Sequence, residues 1–189
     1  NGGDDSDTLF GGGGNDSITG GAGDDTFGLY DDEYDAGNDT YTGGAGNDTF
    51  NIGAGIDTIN DLSGDDVLIV YGSGDVDATV SANFTATSAT ENKAGLDKAE
   101  LLVGSGVDVD LSAVDSGDFG FTIDASGNTA ASSLTGSQLD DAITGGSGDD
   151  TLTGGSGDDT LTGGGGNDTF IIDAGSDQIT DLSGSDVIN

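Results

Sequence analysis

The sequence predicts an all-β protein built as a solenoid, a stack of short coils that lays two parallel sheets against a thin core. Three observations carry this prediction. A glycine-rich phrase nine residues long repeats in phase in two blocks, every phrase holds one large apolar residue at a fixed place, and the segment between the blocks alternates apolar with small or hydroxyl residues. Fixed periods of this kind mark repeat architectures, whose units bury a core only by stacking.

Written in nines, the phrase is Gly-Gly-x-Gly-x-Asp-x-apolar-x. Six copies carry the full first half: GGGGND at 11–16, GGAGDD at 20–25, GGAGND at 43–48, GGSGDD at 145–150 and at 154–159, and GGGGND at 163–168. Degenerate copies at 2–7, 52–57, 61–66, 136–141, 172–177 and 181–186 keep the phase. The sixth-position aspartates are Asp7, Asp16, Asp25, Asp39, Asp48, Asp57 and Asp66, then Asp141, Asp150, Asp159, Asp168, Asp177 and Asp186. The step from Asp25 to Asp39 is fourteen residues rather than nine, so LYDDE at 29–33 reads as a five-residue insertion bulging from one turn. DDEYD at 31–35 reads as a solvated acidic loop.

Position eight is filled by Leu9, Ile18, Phe27, Tyr41, Phe50, Ile59 and Leu68 in the first block. In the second it is filled by Ile143, Leu152, Leu161, Phe170, Ile179 and Ile188. A stretch of x-apolar-x suits a very short strand with one side chain turned inward. The glycine-rich part is too long for a two-residue hairpin and too poor in helix formers for a helix. Two phrases then make one coil, turn-strand-turn-strand. Turns ending at Asp7, Asp25, Asp48 and Asp66 stack on one edge, and turns ending at Asp16, Asp39 and Asp57 on the other. Glycines permit positive φ and let carbonyls crowd together, while each aspartate adds one charge per turn.

Between the blocks the texture changes. VDATVSANFTATSAT at 76–90, VDVDLSAV at 107–114 and FGFTIDAS at 119–126 read as strands. ENKAGLDKAEL at 91–101, which holds both lysines, reads as a charged loop or one helical turn. The chain divides into a first repeat block at 1–69, a β-rich segment at 70–135 that reads as irregular metal-free solenoid coils or a small β-rich insert, and a second block at 136–189.

Composition bounds the chemistry. The 189 residues include 37 acidic side chains, two lysines, no arginine and no histidine, for a net charge of −35, and 38 glycines. Such a chain repels itself and loses much backbone entropy on folding. Multivalent cations held by paired carboxylates remove the repulsion. No nucleic-acid partner is expected at this charge, and no apolar run approaches a membrane span, so direct membrane insertion is not expected. Without cysteine or histidine, the usual zinc, copper and haem ligands and the nucleophile–histidine triads are missing. Carboxylates and carbonyls remain, hard oxygen donors that point to Ca2+, with magnesium second. No enzymatic activity is expected. The chain opens at Asn1 in mid-pattern and reads as a piece of a longer protein.

These nonapeptides resemble the RTX (repeats-in-toxin, hemolysin-type) calcium-binding repeats. The resemblance covers roughly 2–69 and 136–189 and implies a right-handed parallel β-roll with calcium between stacked turns, export by a type I system, and folding in extracellular calcium. It carries the metal-binding role onto the thirteen sixth-position aspartates named above and onto Gly11, Gly14, Gly20, Gly23, Gly43, Gly46, Gly145, Gly148, Gly154, Gly157, Gly163 and Gly166. Asp5, Ile52, Asp61, Leu139, Ile172 and Asp181 stand where the phrase has glycine, so sites built from those turns depart from the pattern. The strongest sites are expected between turns 145–150 and 163–168, and around 11–16, 20–25 and 43–48. The expected role is calcium-dependent folding and assembly of a secreted, cell-surface bacterial protein of surface-layer or adhesin type, with self-association into a lattice, filament or tandem array. The alternative is a non-catalytic secretion and folding module of a type I-exported enzyme or toxin.

Overall fold

The structure, a computed structural model, describes residues 1–28, 37–71, 74–93 and 99–189. The insertion LYDDE, all of DDEYD and the centre of ENKAGLDKAEL, with Lys98, lie outside the described residues. Among those described, every element is a strand or turn, and every strand pairing is parallel. The all-β parallel solenoid expected from the period is the fold.

In the first half two sheets stack coil upon coil. One is made by Thr8–Leu9, Thr26–Phe27, Thr49–Ile52, Val67–Val70 and Glu91–Asn92; the other by Ser17–Ala22, Thr40–Ala45, Gly55–Gly64 and Gly74–Thr85. Thr8 lies opposite Thr26, but Thr26 lies opposite Thr49 and Ser17 opposite Thr40. Neighbouring coils are therefore 18 residues apart, and 23 where the insertion falls. A coil is two phrases, and the extra five residues leave the register of the flanking strands intact.

The 12-residue strand Gly74–Thr85 is where the two halves join. Its first part, Val76–Val80, pairs with Ala99–Val103, and its end, Phe84–Thr85, pairs with Val109–Asp110. From these the chain builds two further files. One runs Thr122–Asp124, Ala142–Thr144, Thr160–Thr162 and Gln178–Asp181, and the other Ser133–Thr135, Thr151–Thr153, Thr169–Ile171 and Val187–Ile188. A single strand thus feeds both files of the second half. The expected strands of 76–90, 107–114 and 119–126 are present in part. The stretch 91–101, expected as a charged loop or helical turn, instead contributes strands at both described ends, Glu91–Asn92 and Ala99–Val103. Val76, Ala78, Ala99 and Leu101 explain this, because they pack their alternate faces into the core.

The core is the file of position-eight side chains. Phe27, Tyr41, Phe50, Ile59, Leu68, Leu152, Leu161 and Phe170 are completely buried or nearly so. Phe27 stacks on Phe50 with ring centroids 4.9 Å apart and meets Tyr41 edge-on at 5.8 Å. At the two ends the file opens: Leu9 and Ile179 are partly buried and Ile188 is exposed. In the middle, Val80, Phe84, Val103, Val109, Leu111, Phe121, Ile123 and Leu134 fill the interior. Buried amides there are used: Asn128 Nδ2 donates to the carbonyls of Val103 and Gly104, both at 2.9 Å, and Asn92 Nδ2 to that of Gly120 at 2.6 Å. Lys93 pairs with Glu91 and lies 5.5 Å above the ring of Tyr71.

Candidate metal centre

Each turn of the solenoid is shaped by what its glycines lack. A Cβ on the first glycine of a phrase would fall within 3.0 Å of the carboxylate of that phrase's own aspartate. This holds for Gly11 and Asp16, Gly20 and Asp25, Gly43 and Asp48, Gly145 and Asp150, Gly154 and Asp159, and Gly163 and Asp168. The first glycine is the space into which the carboxylate folds back. The second and fourth positions have a different reason. Gly21, Gly44, Gly155 and Gly164 have positive φ, as do Gly14, Gly23, Gly46, Gly157 and Gly166, a conformation other residues rarely adopt. At Gly44, Gly46, Gly164 and Gly166 an added Cβ would strike the carbonyl oxygen of the equivalent glycine one coil earlier. Backbone carbonyls therefore crowd at the turns, as the phrase requires.

The aspartates form ladders along each edge. The N–H of Asp7 donates to Oδ1 of Asp25 at 2.8 Å, that of Asp25 to Asp48 at 2.9 Å, and that of Asp48 to Asp66 at 2.8 Å. On the other edge Asp16 donates to Asp39 and Asp39 to Asp57, both at 2.8 Å. In the second half Phe121 N–H starts one ladder through Asp141, Asp159 and Asp177, at 2.6, 2.8 and 3.3 Å. Ser132 N–H starts the other through Asp150, Asp168 and Asp186, at 2.8, 2.9 and 2.9 Å. All thirteen sixth-position aspartates are placed in these ladders, with the two edges assorted as the period predicted. Nine of them are buried, from Asp25 to Asp66 and from Asp141 to Asp168, and the terminal pairs Asp7, Asp16, Asp177 and Asp186 are half-buried.

Except at Asp7 and Asp16, which begin their ladders, one oxygen of each carboxylate is spent on its rung, and the other decides what the site can do. Oδ2 of Asp16, Asp25, Asp48, Asp159, Asp168 and Asp177 is buried with no hydrogen-bond donor. A buried, unsatisfied carboxylate oxygen is costly, and a cation is the natural partner. Elsewhere the turn closes on its own aspartate. Gly146 N–H donates to Asp150 Oδ2 at 2.7 Å, Ser137 N–H and Oγ to Asp141 Oδ2 at 2.6 and 2.8 Å, and Ser63 N–H to Asp66 Oδ2 at 2.9 Å. Turn 145–150 thus has the full sequence phrase, yet its carboxylate is already capped from within.

Burial also shifts the protonation of these groups. Loss of hydration pushes Asp159 up to about 7, against the opposing bond from Asp141 N–H and with added repulsion from Asp141, Asp177 and Asp173. The same desolvation raises Asp66 and Asp141 to about 6, and raises Asp48 and Asp168. Files of like charges held dry are poised either to take up protons or to take up a cation.

Three features of the turns escaped the period. Position-five side chains are exposed but bonded: Asp24 Oδ1 accepts from Asn47 N–H at 2.9 Å, Asp149 from Asn167 N–H at 2.8 Å, and Asp158 from Ser176 N–H at 2.9 Å. This outer ladder runs opposite in direction to the inner one. Asp61, standing at a glycine position, accepts from Gly43 N–H at 2.8 Å and Gly44 N–H at 2.9 Å. Asp173 joins Asp159 and Asp177, with one carboxylate oxygen from each within 4.8 Å of the others. The sequence signal for the last two was an acid displacing a glycine in phase.

Stacked coils, glycine-made carbonyl turns and edge ladders of aspartate define a parallel β-roll with acidic, oxygen-lined turns. Residues 1–28, 35–51 and 135–170 match the RTX calcium-binding nonapeptide repeat, in four copies, and these segments are repeats of that family. No curated protein and no solved structure matches the chain. Repeats of this family bind calcium, and the donor set here fits that ion: hard oxygens only, several of them buried and unsatisfied. The ladders continue past the matched segments, through Asp57, Asp66, Asp177 and Asp186.

Proposed function

We propose that this chain is a calcium-folded rod segment, a structural and assembly element of a secreted bacterial surface protein of surface-layer or adhesin type. One observation carries the reading: in both repeat blocks the ladders hold buried carboxylate oxygens that no protein donor satisfies, on Asp16, Asp25, Asp48, Asp159, Asp168 and Asp177. Calcium would be held by the sixth-position carboxylates from Asp7 to Asp66 and from Asp141 to Asp186, with carbonyls of Gly11, Gly14, Gly20, Gly23, Gly43, Gly46, Gly145, Gly148, Gly154, Gly157, Gly163 and Gly166 completing the shells. When bound, the ion supplies positive charge between coils that otherwise repel. The protein's own contribution is the spacing, since the rungs and the position-eight core fix each carboxylate against the next turn. The role is structural, not catalytic.

Such a segment stays unfolded at low calcium and folds where calcium is plentiful, which suits export followed by assembly outside the cell. Each site contributes about 2.7 kcal/mol once free calcium stands a hundredfold above its dissociation constant. The middle coils, held by Val, Leu, Ile and Phe side chains, are proposed as a metal-free spacer between two metal-built blocks.

Far-ultraviolet circular dichroism during a calcium titration after chelator treatment tests this, with magnesium in parallel and light scattering alongside. The expected result is a cooperative gain of β-structure with calcium and not with magnesium, with scattering rising as copies associate. A signal that calcium leaves unchanged overturns the reading.

A further inference from the structure

Turn 172–177 reads Ile-Asp-Ala-Gly-Ser-Asp, so the glycine that should stand second is Asp173. By sequence this is a damaged turn. In the structure it adds a charge where the full phrase has none. Asp173 lies one coil above Gly155, whose N–H donates to Asp173 Oδ2 at 3.2 Å. That bond tethers the carboxylate over the preceding turn. Its neighbours there are Asp159 and Asp177, and the three offer one oxygen each within 4.8 Å of one another. Asp159 is 1 % exposed, and Oδ2 of both Asp159 and Asp177 has no donor. Asp173 itself is exposed, which gives a cation a way in from solvent.

We infer that the interface between turns 154–159 and 172–177 is a three-carboxylate calcium site, in which Asp173 supplies a third charge and which fills before the two-carboxylate interfaces. The inference rests on the calcium reading above. Its physical basis is charge count: hard-cation affinity in oxygen sites rises with the number of carboxylates, provided the site holds them together. At the interface of Asp25 and Asp48 the corresponding second position is Gly44, which has only backbone to offer. A third carboxylate without a cation also adds repulsion, since Asp173 and Asp177 both push on the buried Asp159. The same variant phrase, apolar-Asp-Ala-Gly-polar-Asp, occurs as YDAGND at 34–39.

The test is a calcium titration of the 15N-labelled chain, starting from chelator and following amide resonances residue by residue. In the wild type, folded-state signals of Gly155, Asp159 and Asp177 are expected at lower calcium than those of Asp25 and Asp48. In Asp173→Asn the first group is expected to need about tenfold more calcium, with Asp25 and Asp48 unmoved, while Asp173→Glu stays near the wild type. An unchanged midpoint in Asp173→Asn, or an equal rise at all five residues, overturns the inference. Should that variant leave the last coil unfolded, the wild-type order decides: Asp159 and Asp177 responding with or after Asp25 and Asp48 overturns it. Silence of every resonance toward calcium would remove the calcium reading itself, a separate result.

Discussion

Asp48 and Asp66 stand one coil apart, and the N–H of the first donates to Oδ1 of the second at 2.8 Å while Oδ2 of Asp48 faces no donor. Asp48 is thus both rung and unsatisfied charge. The rung tells where the next coil sits, and the unsatisfied oxygen makes that coil uncomfortable until a cation arrives.

Asp48→Asn separates these two roles. The amide keeps an oxygen for the rung from Asp25 N–H and removes a charge that burial and its acidic neighbours Asp25, Asp61 and Asp24 already disfavour. In chelator the variant should melt higher than the wild type. In calcium it should melt lower, because a ligand has been lost. Thermal unfolding in both buffers checks the crossing, and a fall in both would show that the charge is not the source of strain.

Glycine substitutions should sort by position within a single kind of phrase. Gly43→Ala drives a Cβ into the Asp48 carboxylate and should destabilise the folded, calcium-loaded chain by about 1–3 kcal/mol. Gly13→Ala, at the third position with open space around it and no positive φ, should stay within about 0.5 kcal/mol. Chemical denaturation in saturating calcium measures both.

The raised carboxylates give the metal-free fold a sign of pH dependence opposite to that of most proteins. Asp159, at about 7, and Asp66 and Asp141, at about 6, bind protons in the folded chain that they release when unfolded, where the ordinary value is 3.8. Stability in chelator is therefore greatest where these groups are protonated and is lost as pH rises from about 4 through about 7. With calcium the trend inverts, because the ligands must be ionised to hold it. Circular dichroism from about pH 8 down to about pH 5 should show β-structure rising in chelator, and a rising calcium midpoint in the titrated samples.

The blocks should also melt unequally. Amide hydrogen exchange in chelator is expected to protect Val76–Val80, Ala99–Val103 and Thr122–Asp124, whose partners are packed by apolar side chains. Thr8–Leu9, Thr26–Phe27, Thr160–Thr162 and Gln178–Asp181 should exchange quickly until calcium is added. Equal protection throughout would contradict a metal-free centre.

Much of this was legible in the residues. The nine-residue period fixed which residues pair, as Leu152 with Phe170; which face is core; and on which edge each aspartate falls, since a solenoid converts sequence spacing directly into stacking. The five-residue insertion predicted the 23-residue coil for the same reason. What the period does not determine is how each turn closes on its own aspartate and what it meets on the neighbouring coil. Turns 145–150 and 154–159 have the same six letters, yet only Asp159 is left with an unsatisfied oxygen, because Gly146 N–H closes on Asp150. Asp61 and Asp173 look like losses of glycine, and only the stacking reveals one bonded to Gly43 and Gly44 and the other beside Asp159. Nor does local pattern show that Gly74–Thr85 feeds both later files, because that junction rests on pairings between residues far apart in sequence. The repeat, read alone, determined the coil; whether a given turn is left open to a cation was decided by contacts within the turn and across coils, where carboxylate, amide and carbonyl compete for the same few ångströms.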